Sequence, residues 1–207
     1  MAGVANTTFG LYTDSGITTP LSGGIEQYIH KTDLSDNPQD VQLWLGSNAS
    51  ISTQLRASSN PGVDNIVLTP TKILPVWVLS TVYTLGQSVY PTVDNTYRYS
   101  CTTAGTSSST QPTWPTTIGN TVTDGSVVWT CISKEHPITE IQLATTQAGL
   151  TGASAGGSLS LGNTLLSGAL HATTFWIRVI NTVTTVGDNS GTPEIGIFNN
   201  AVQEDPV

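Results

Sequence analysis

One pentapeptide of the sequence has the spacing of a catalytic serine. Gly152-Ala153-Ser154-Ala155-Gly156 matches G-x-S-x-G, in which a serine between a strand and a helix acts as nucleophile. That chemistry also needs an acid and then a histidine further along the chain, and no Asp or Glu lies between Ser154 and His171. The flanking residues are turn-like and strand-like. We interpret the motif as a small-residue turn and predict no catalytic residue and no enzyme activity.

Residues that could bind a metal or a cofactor are scattered. The three histidines show no ligand spacing: they are His30, His136 and His171. Three aspartates, Asp33, Asp36 and Asp40, surround Asn37-Pro38, but a calcium loop needs regularly spaced oxygens and a glycine at its sharp turn. The glycine-rich stretch 149–168 lacks the Lys-Ser/Thr of a phosphate-binding loop. We predict a solvated acidic loop, no metal and no cofactor.

The two cysteines, Cys101 and Cys131, end β-like runs that could pair side by side. The first residues, MAGVANTTFG, lack the basic and apolar regions of a secretory signal, which predicts synthesis in a reducing compartment. Free buried thiols are therefore the first expectation. A disulfide between these two cysteines is the alternative.

The composition excludes several classes of protein. Charged residues make up 10% of the 207 residues, against about a quarter in an average soluble protein. The 14 acidic and 6 basic residues give a formal net charge of −8, and so few dispersed cations are unable to displace the counterions of nucleic acid. No stretch approaches the roughly 20 apolar residues that span a bilayer. We predict a soluble protein that binds no nucleic acid and inserts into no membrane.

Short runs of alternating apolar and polar residues indicate half-buried β-strands. Turn residues such as Asn60-Pro61-Gly62 separate the runs, and no long amphipathic helix is evident. The pattern predicts an all-β fold, an antiparallel sandwich or barrel, of which we favour the β-sandwich. The alternating apolar positions are Val41, Leu43 and Leu45; Ile66 and Leu68; Ile141 and Leu143; Leu159 and Leu161; Phe175, Ile177 and Val179; and Ile195 and Ile197.

The run TFWIRV places two side chains on the face opposite its apolar residues. Trp176 and Arg178 occupy this outer face of a central-looking strand. They are candidates for contact with a partner chain, although a single apolar residue on a surface needs no partner.

Aromatic residues concentrate in the middle third of the chain. They fall between Pro75 and about Lys134, around the Ser/Thr/Pro-rich loop 104–117. We interpret residues 75–134 as an inserted module and residues 1–74 plus 135–207 as one discontinuous β-sandwich. Either flank alone would bury only a thin core. Insertions are tolerated best at exposed loop tips, which predicts a module that projects outward. Three consecutive small domains are the alternative.

The middle segment resembles a known kind of module. WVLSTVYTLGQSVY and YRYS place Trp77, Tyr83, Gly86, Tyr90 and the strand 97–99 in the order found in the small chitin- and cellulose-type carbohydrate-binding modules of families five and twelve. The longer form, with TTAGTSSSTQPTWP followed by TDGSVVWTC, is similar to the variant embedded in virion proteins of tailed bacteriophages. The resemblance covers about 60 residues. The flanks, with LYTDSGITTPL and FWIRVIN, resemble β-sandwich structural proteins of the same viruses more loosely.

Sugar rings stack on exposed aromatic planes, with polar neighbours that bind the hydroxyls. Trp114, held between Pro112 and Pro115, is the candidate platform, with Tyr90 and Thr113 as candidate neighbours. The alternative is that Trp114 folds back onto the core of the module. We expect the strand aromatics to be core residues; these are Trp77, Tyr97, Tyr99 and Trp129.

The lack of a catalytic constellation predicts a non-enzymatic protein, and the resemblance implies a structural component of a phage virion, made in the host cytoplasm. A capsid decoration or head-fibre protein is the first expectation, and a tail or neck component is the second. The expected partners are other virion proteins and copies of the same chain. A glycan-binding adhesin that acts through Trp114 on cell-surface or environmental glycans is the hypothesis from another class.

Overall fold

The computed structural model describes residues 4–5, 8–21, 34–182 and 194–207, so His30 and Asp33 lie outside the described residues. Within these ranges the chain is built of β-strands and short 3₁₀ turns, which confirms the predicted all-β fold. The strands are β1 (Val4–Ala5), β2 (Gly10–Tyr12), β3 (Gln39–Gly46), β4 (Thr53–Ala57), β5 (Val67–Lys72), β6 (Val82–Tyr83), β7 (Ser88–Val89), β8 (Tyr97–Thr103), β9 (Gly105–Thr106), β10 (Thr121–Asp124), β11 (Val127–Lys134), β12 (Ile141–Ala144), β13 (Leu159–Ser160), β14 (Leu165–Leu166), β15 (Thr173–Val179), β16 (Ile195–Asn199) and β17 (Val202–Pro206). The 3₁₀ turns are Ile138–Glu140, Ala148–Gly152 and Ala169–His171.

Strands from both flanks of the chain pair with one another. They form three antiparallel sheets with the orders β12-β15-β3-β2, β1-β17-β4-β14 and β13-β5-β16. Each sheet combines strands that precede residue 75 with strands that follow residue 134. We call the described residues of these two flanks the framework.

The alternation seen in the sequence determines which side chains the framework buries. In the pairing of β3 with β15, Leu43 lies opposite Phe175, and both are buried. Trp176 and Arg178 take the other face and are half-buried, as the alternation predicts. The sheets share one core: Phe9, Leu43, Leu45, Leu55, Ile66, Leu68, Ile141, Leu143, Leu161, Leu165, Phe175, Ile177 and Val179.

The middle of the chain has its own sheets and its own core. β10-β11-β8-β7 form one antiparallel sheet and β6-β9 form a second. We call residues 75–134 the module. Its core is mostly aromatic: Trp77, Tyr83, Val89, Tyr99, Cys101, Trp114, Val127, Trp129 and Cys131. No residue of this cluster belongs to the framework core.

The two ends of the module lie side by side. The amide of Tyr90 donates to the carbonyl of Pro75 at 3.0 Å, and the amide of Glu135 donates to the carbonyl of Thr96 at 3.1 Å. Lys72 Nζ, just before the module, is 2.8 Å from Glu135 Oε1, just after it. Adjacent ends are what an insertion at a loop tip requires. The boundaries 1–74 plus 135–207 and 75–134 themselves stay a prediction.

Candidate functional site

The candidate sugar platform, Trp114, is part of the module core. Its side chain is only 9% exposed, with ring centroids 4.3 Å from Tyr99 and 5.8 Å from Trp129. The hydroxyl of Tyr99 donates to the carbonyl of Pro115 at 2.7 Å, which holds the loop against the core. The platform hypothesis is therefore corrected in favour of the alternative, in which the indole caps the core. Burial of its large apolar surface is more favourable than its exposure to water.

The two candidate neighbours of that platform are not on one surface. Tyr90 is only 3% exposed, and its hydroxyl donates to Glu194 Oε2 at 3.3 Å. Thr113 is exposed. The predicted trio of Trp114, Tyr90 and Thr113 thus forms no exposed stacking face. The four strand aromatics expected in the interior are buried or half-buried there, as predicted: Trp77, Tyr97, Tyr99 and Trp129.

A buried carboxylate that the sequence did not single out organises this core. Asp124 is 2% exposed, and its Oδ2 accepts hydrogen bonds from the indole nitrogens of Trp77 at 2.7 Å and Trp129 at 3.0 Å. Its Oδ1 accepts from the amide of Ser108 at 2.8 Å. Asp124 ends β10 just before Gly125, whose positive φ of 63° makes the tight turn into β11. The Asp-Gly dipeptide between two strand-like runs was the signal in the sequence that could have drawn attention to Asp124.

The cysteines lie on the paired strands β8 and β11. Cys131 lies opposite Tyr99 and Cys101 lies opposite Trp129, so the two cysteines are offset by two residue pairs and share one face. Both are free and buried, and burial raises the pKa of each thiol. The expectation of free buried thiols is met, and the disulfide between Cys101 and Cys131 is absent.

The module meets the framework through a cluster of charged side chains, which we call the joint: Lys72, Tyr90, Asp94, Arg98, Glu135, His136, Glu140 and Glu194. Lys72, on β5, has its Nζ in contact with Asp94 Oδ2 and 2.8 Å from Glu135 Oε1. The same ammonium lies 5.0 Å above the ring of Tyr90. Burial tends to lower the pKa of Lys72, but its hydrogen bonds to the two carboxylates outweigh burial and raise it.

A second ion pair of the joint is almost fully buried. The guanidinium of Arg98, 1% exposed, lies 2.7 Å from Glu194 Oε1, whose side chain is 12% exposed. Glu194 Oε2 also accepts from the amide of His136 at 3.1 Å. Arg98 belongs to the module and Glu194 to the framework. A buried charge without its partner is strongly destabilising. Removal of either Arg98 or Glu194 would therefore destabilise the fold.

His136 and Glu140, both of the framework, form a further pair of the joint. His136 Nδ1 is 2.7 Å from Glu140 Oε2, and Glu140 Oε1 accepts from the amide of Thr182 at 2.6 Å. The hydrogen bond with Glu140 raises the pKa of His136. Burial raises the pKa of Glu140, but the bonds from His136 and Thr182 outweigh burial and lower it.

Arg178, a candidate partner contact, is paired within the chain. Its Nε and Nη2 donate to the two carboxylate oxygens of Asp40 at 2.7 and 2.9 Å. These bonds hold the pKa of Asp40 below its ordinary value. Contact of Trp176 and Arg178 with a partner stays a prediction, although the charge of Arg178 is already neutralised. Asp40 lies on β3 and forms this ion pair. The described residues contain no cluster of three metal-ligating side chains.

Ser154 lies exposed in a turn after the 3₁₀ turn Ala148–Gly152. The amide of Gly157 donates to the Ser154 carbonyl at 3.0 Å, which closes the turn. The strand and helix that a nucleophile elbow needs are not on its two sides. In the described part of the chain no helix is long and apolar enough to cross a membrane.

The module exposes aliphatic side chains along one segment, which we call the apolar strip: Val76, Val78, Leu79, Val82 and Leu85. Their exposed fractions range from 49% for Val76 to 70% for Val82. The segment includes β6, which pairs with β9 in a sheet of two strands. The sequence analysis placed the candidate site at Trp114, Tyr90 and Thr113 and did not single out this apolar surface, because sequence alone does not show which apolar residues stay exposed.

Comparisons with protein-family models, with curated proteins and with solved structures found no match.

Proposed function

We propose that the protein is a non-enzymatic structural component of a tailed-phage virion, with a capsid decoration or head-fibre protein as the first choice. The framework is the part that docks on the particle, and the module projects from it. The resemblance of residues 77–131 to virion-embedded modules motivates the proposal, and a tail or neck component is its nearest variant.

One observation carries this proposal: the module buries its aromatic rings and exposes its aliphatic side chains. Trp114 is 9% exposed, whereas Val82 is 70% exposed. Sugar binding needs an exposed aromatic plane, while a run of exposed aliphatic side chains is typical of a surface that contacts another protein. The module therefore suits a protein contact better than a glycan contact.

The charge of the chain suits assembly in many copies. A formal net charge of −8 keeps free subunits apart in solution. Weak contacts at the apolar strip then become effective when many copies engage together on one particle.

The test adds the purified chain to phage particles that lack it and measures sedimentation of the chain with the particles. Val82→Asp should weaken this association, because a charge would enter an apolar contact. Val63→Asp is the matched control, since Val63 is a valine of the framework that is exposed to a similar degree, 66%.

Two results would contradict the proposal. One is a chain that binds no particle; the other is a chain that binds an immobilised glycan through its module, with Thr113→Ala reducing that binding. The second result would restore the adhesin hypothesis, because Thr113 is the exposed member of the predicted sugar-binding trio.

A further inference from the structure

Three side chains of the joint bring together an amine that can act as nucleophile, a carboxyl carbon that it can attack and a second carboxyl that can carry protons. Lys72 Nζ contacts Asp94 Oδ2, so the amine lies next to the carboxyl carbon of Asp94. Glu135 Oε1 is 2.8 Å from the same nitrogen. Lys72 belongs to the framework and Asp94 to the module, 22 residues further along the chain.

We propose that Lys72 and Asp94 condense into an isopeptide bond that joins the framework covalently to the module, with Glu135 as the residue that transfers the protons. Nothing in this proposal depends on the virion function, since the bond forms within one chain.

The surroundings of Asp94 suit attack on its carboxyl carbon. Oδ1 accepts a hydrogen bond from the amide of Thr96 at 2.8 Å. That amide can stabilise the negative charge that develops on Oδ1 when the amine adds, as in an oxyanion hole. Oδ2, which faces Lys72, is the leaving oxygen. The side chain of Asp94 is 50% exposed, which leaves a path for water to depart.

Glu135 has the environment of a proton carrier. Its side chain is 5% exposed, and its Oε2 is buried without a hydrogen-bond partner among the described residues. Burial raises the pKa of this carboxyl, and the hydrogen bond and charge of Lys72 oppose this effect without cancelling it, while the charge of Asp94 adds to it. A carboxyl that is costly to keep charged is able to take up a proton and to pass it on.

The condensation balances without a further reactant. The Lys72 ammonium passes a proton to Glu135, and the neutral amine attacks Cγ of Asp94. Glu135 delivers its proton to Oδ2 as the new Nζ–Cγ bond forms, and the Cγ–Oδ2 bond breaks only when this oxygen takes a second proton and leaves as water. The nitrogen loses a second proton to the departing oxygen, so that an ammonium and a carboxylate become an amide and one water. No oxidant or reductant takes part.

Proximity accelerates the condensation. Well-oriented intramolecular groups react as if at effective concentrations of about 10⁵–10⁸ M, which lowers the barrier to attack. The ion pair slows the reaction, because it raises the pKa of Lys72 and lowers the pKa of Asp94, so the amine must first lose a proton and the carboxylate must gain one. We therefore expect condensation after folding rather than during it.

The test is the intact mass of the denatured full-length chain after storage in the folded state. The expected mass is lower than the sequence mass by one water. Trypsin should then fail to cut after Lys72 and should release residues 57–98 as one peptide that lacks one water. Asp94→Asn should lose one ammonia instead of one water and give the same amide. Asp64→Asn, at a remote exposed aspartate, should still lose water.

Glu135→Gln should keep the full mass, because the glutamine carries no proton between the two groups. A wild-type chain that retains its sequence mass and is cut after Lys72 would overturn the proposal, and this outcome does not depend on any variant folding. Loss of one water with normal cleavage after Lys72 would also overturn it, since a cyclic imide at Asp94 loses the same mass.

Discussion

At the scale of single residues, the module depends on aromatic side chains that pack together or form hydrogen bonds inside the protein. Trp114 packs between Tyr99 and Trp129, and Asp124 joins the indoles of Trp77 and Trp129. Each of these groups could bind a sugar if it faced solvent. Here they bind one another, and their removal should therefore affect stability before it affects recognition.

Trp114→Ala tests the structural role of this indole. Truncation of a buried tryptophan removes a large apolar surface and leaves a cavity, which typically costs about 3–5 kcal/mol. We expect a loss of that size in the free energy of unfolding, measured by urea denaturation and followed through tryptophan fluorescence. Val93→Ala, at a side chain that is 76% exposed, is the control and should change little. Unchanged stability would show that the indole is dispensable for the core.

Asp124→Asn tests the carboxylate that accepts three hydrogen bonds. An amide retains one acceptor oxygen and turns a donor toward the remaining partners, so at least one buried N–H group loses its acceptor. Such a group costs roughly 1–3 kcal/mol, and more where the lost partner was charged. We expect destabilisation by about 3 kcal/mol in the same urea assay. Asp64→Asn, at an exposed aspartate that accepts from Ser59, should stay near wild type.

Residue types alone predicted part of this arrangement. The strand aromatics were assigned to the core from their alternation, and that was correct for Trp77, Tyr99 and Trp129. Trp114 was ambiguous because its flanking prolines fix the backbone but do not determine which way the ring points. Arg98 is buried although it alternates with aromatic neighbours, since its face of β8 meets the framework, and no local pattern encodes that contact.

At the scale of elements, the joint links segments that are far apart in the chain. Two of its ion pairs do so: Lys72–Asp94 joins β5 with the loop before β8, and Arg98–Glu194 joins β8 with the residue before β16. The pair His136–Glu140 spans only four residues within the framework. Alternation predicted the strands because each strand faces one core. The pairs between module and framework could not be predicted in this way, because they join residues far apart in the sequence and no local pattern encodes such a contact.

His136 gives the joint a predictable pH dependence. Its pKa is raised in the folded state by Glu140, with Glu194 adding to the effect and Arg98 opposing it. The stabilisation is therefore complete below the unfolded value of about 6.5 and is lost as pH rises through the higher folded value. Glu140 has a lowered pKa, so its contribution is present above its ordinary value of about 4.5 and is lost as pH falls. We expect the pair to stabilise most between these limits.

The measurement compares the thermal unfolding midpoints of wild type and His136→Gln from pH 4 to pH 9. The wild-type advantage should be greatest near pH 5.5 and should shrink toward both ends. His171→Gln is the matched control, because His171 is exposed and lies in the 3₁₀ turn Ala169–His171. A midpoint difference that is constant across this range would contradict the assigned ion pair.

At the scale of the whole molecule, the protein has two separate cores, and the framework and the module that contain them meet at the polar joint. The framework core draws on both flanks, and the module core draws only on the middle of the chain. Removal of the middle of the chain should therefore eliminate the module core and leave the framework core intact. The change in aromatic content near residue 75 suggested that the chain has two cores. Nothing in the sequence indicated that the two units meet through charged groups.

Excision of the module tests this architecture. Replacement of residues 76–133 by a short Gly-Ser linker should leave a folded framework, because its core uses no module residue and the two ends of the cut are adjacent. The shortened chain should keep a cooperative thermal transition and a β-type circular dichroism spectrum, at a lower midpoint because Glu194 loses Arg98. As a control, residues 1–74 and 135–207 expressed as separate chains should fold only when mixed, since every framework sheet needs both. If each flank instead folded alone and the two did not associate, three consecutive domains would replace the inserted module as the correct description.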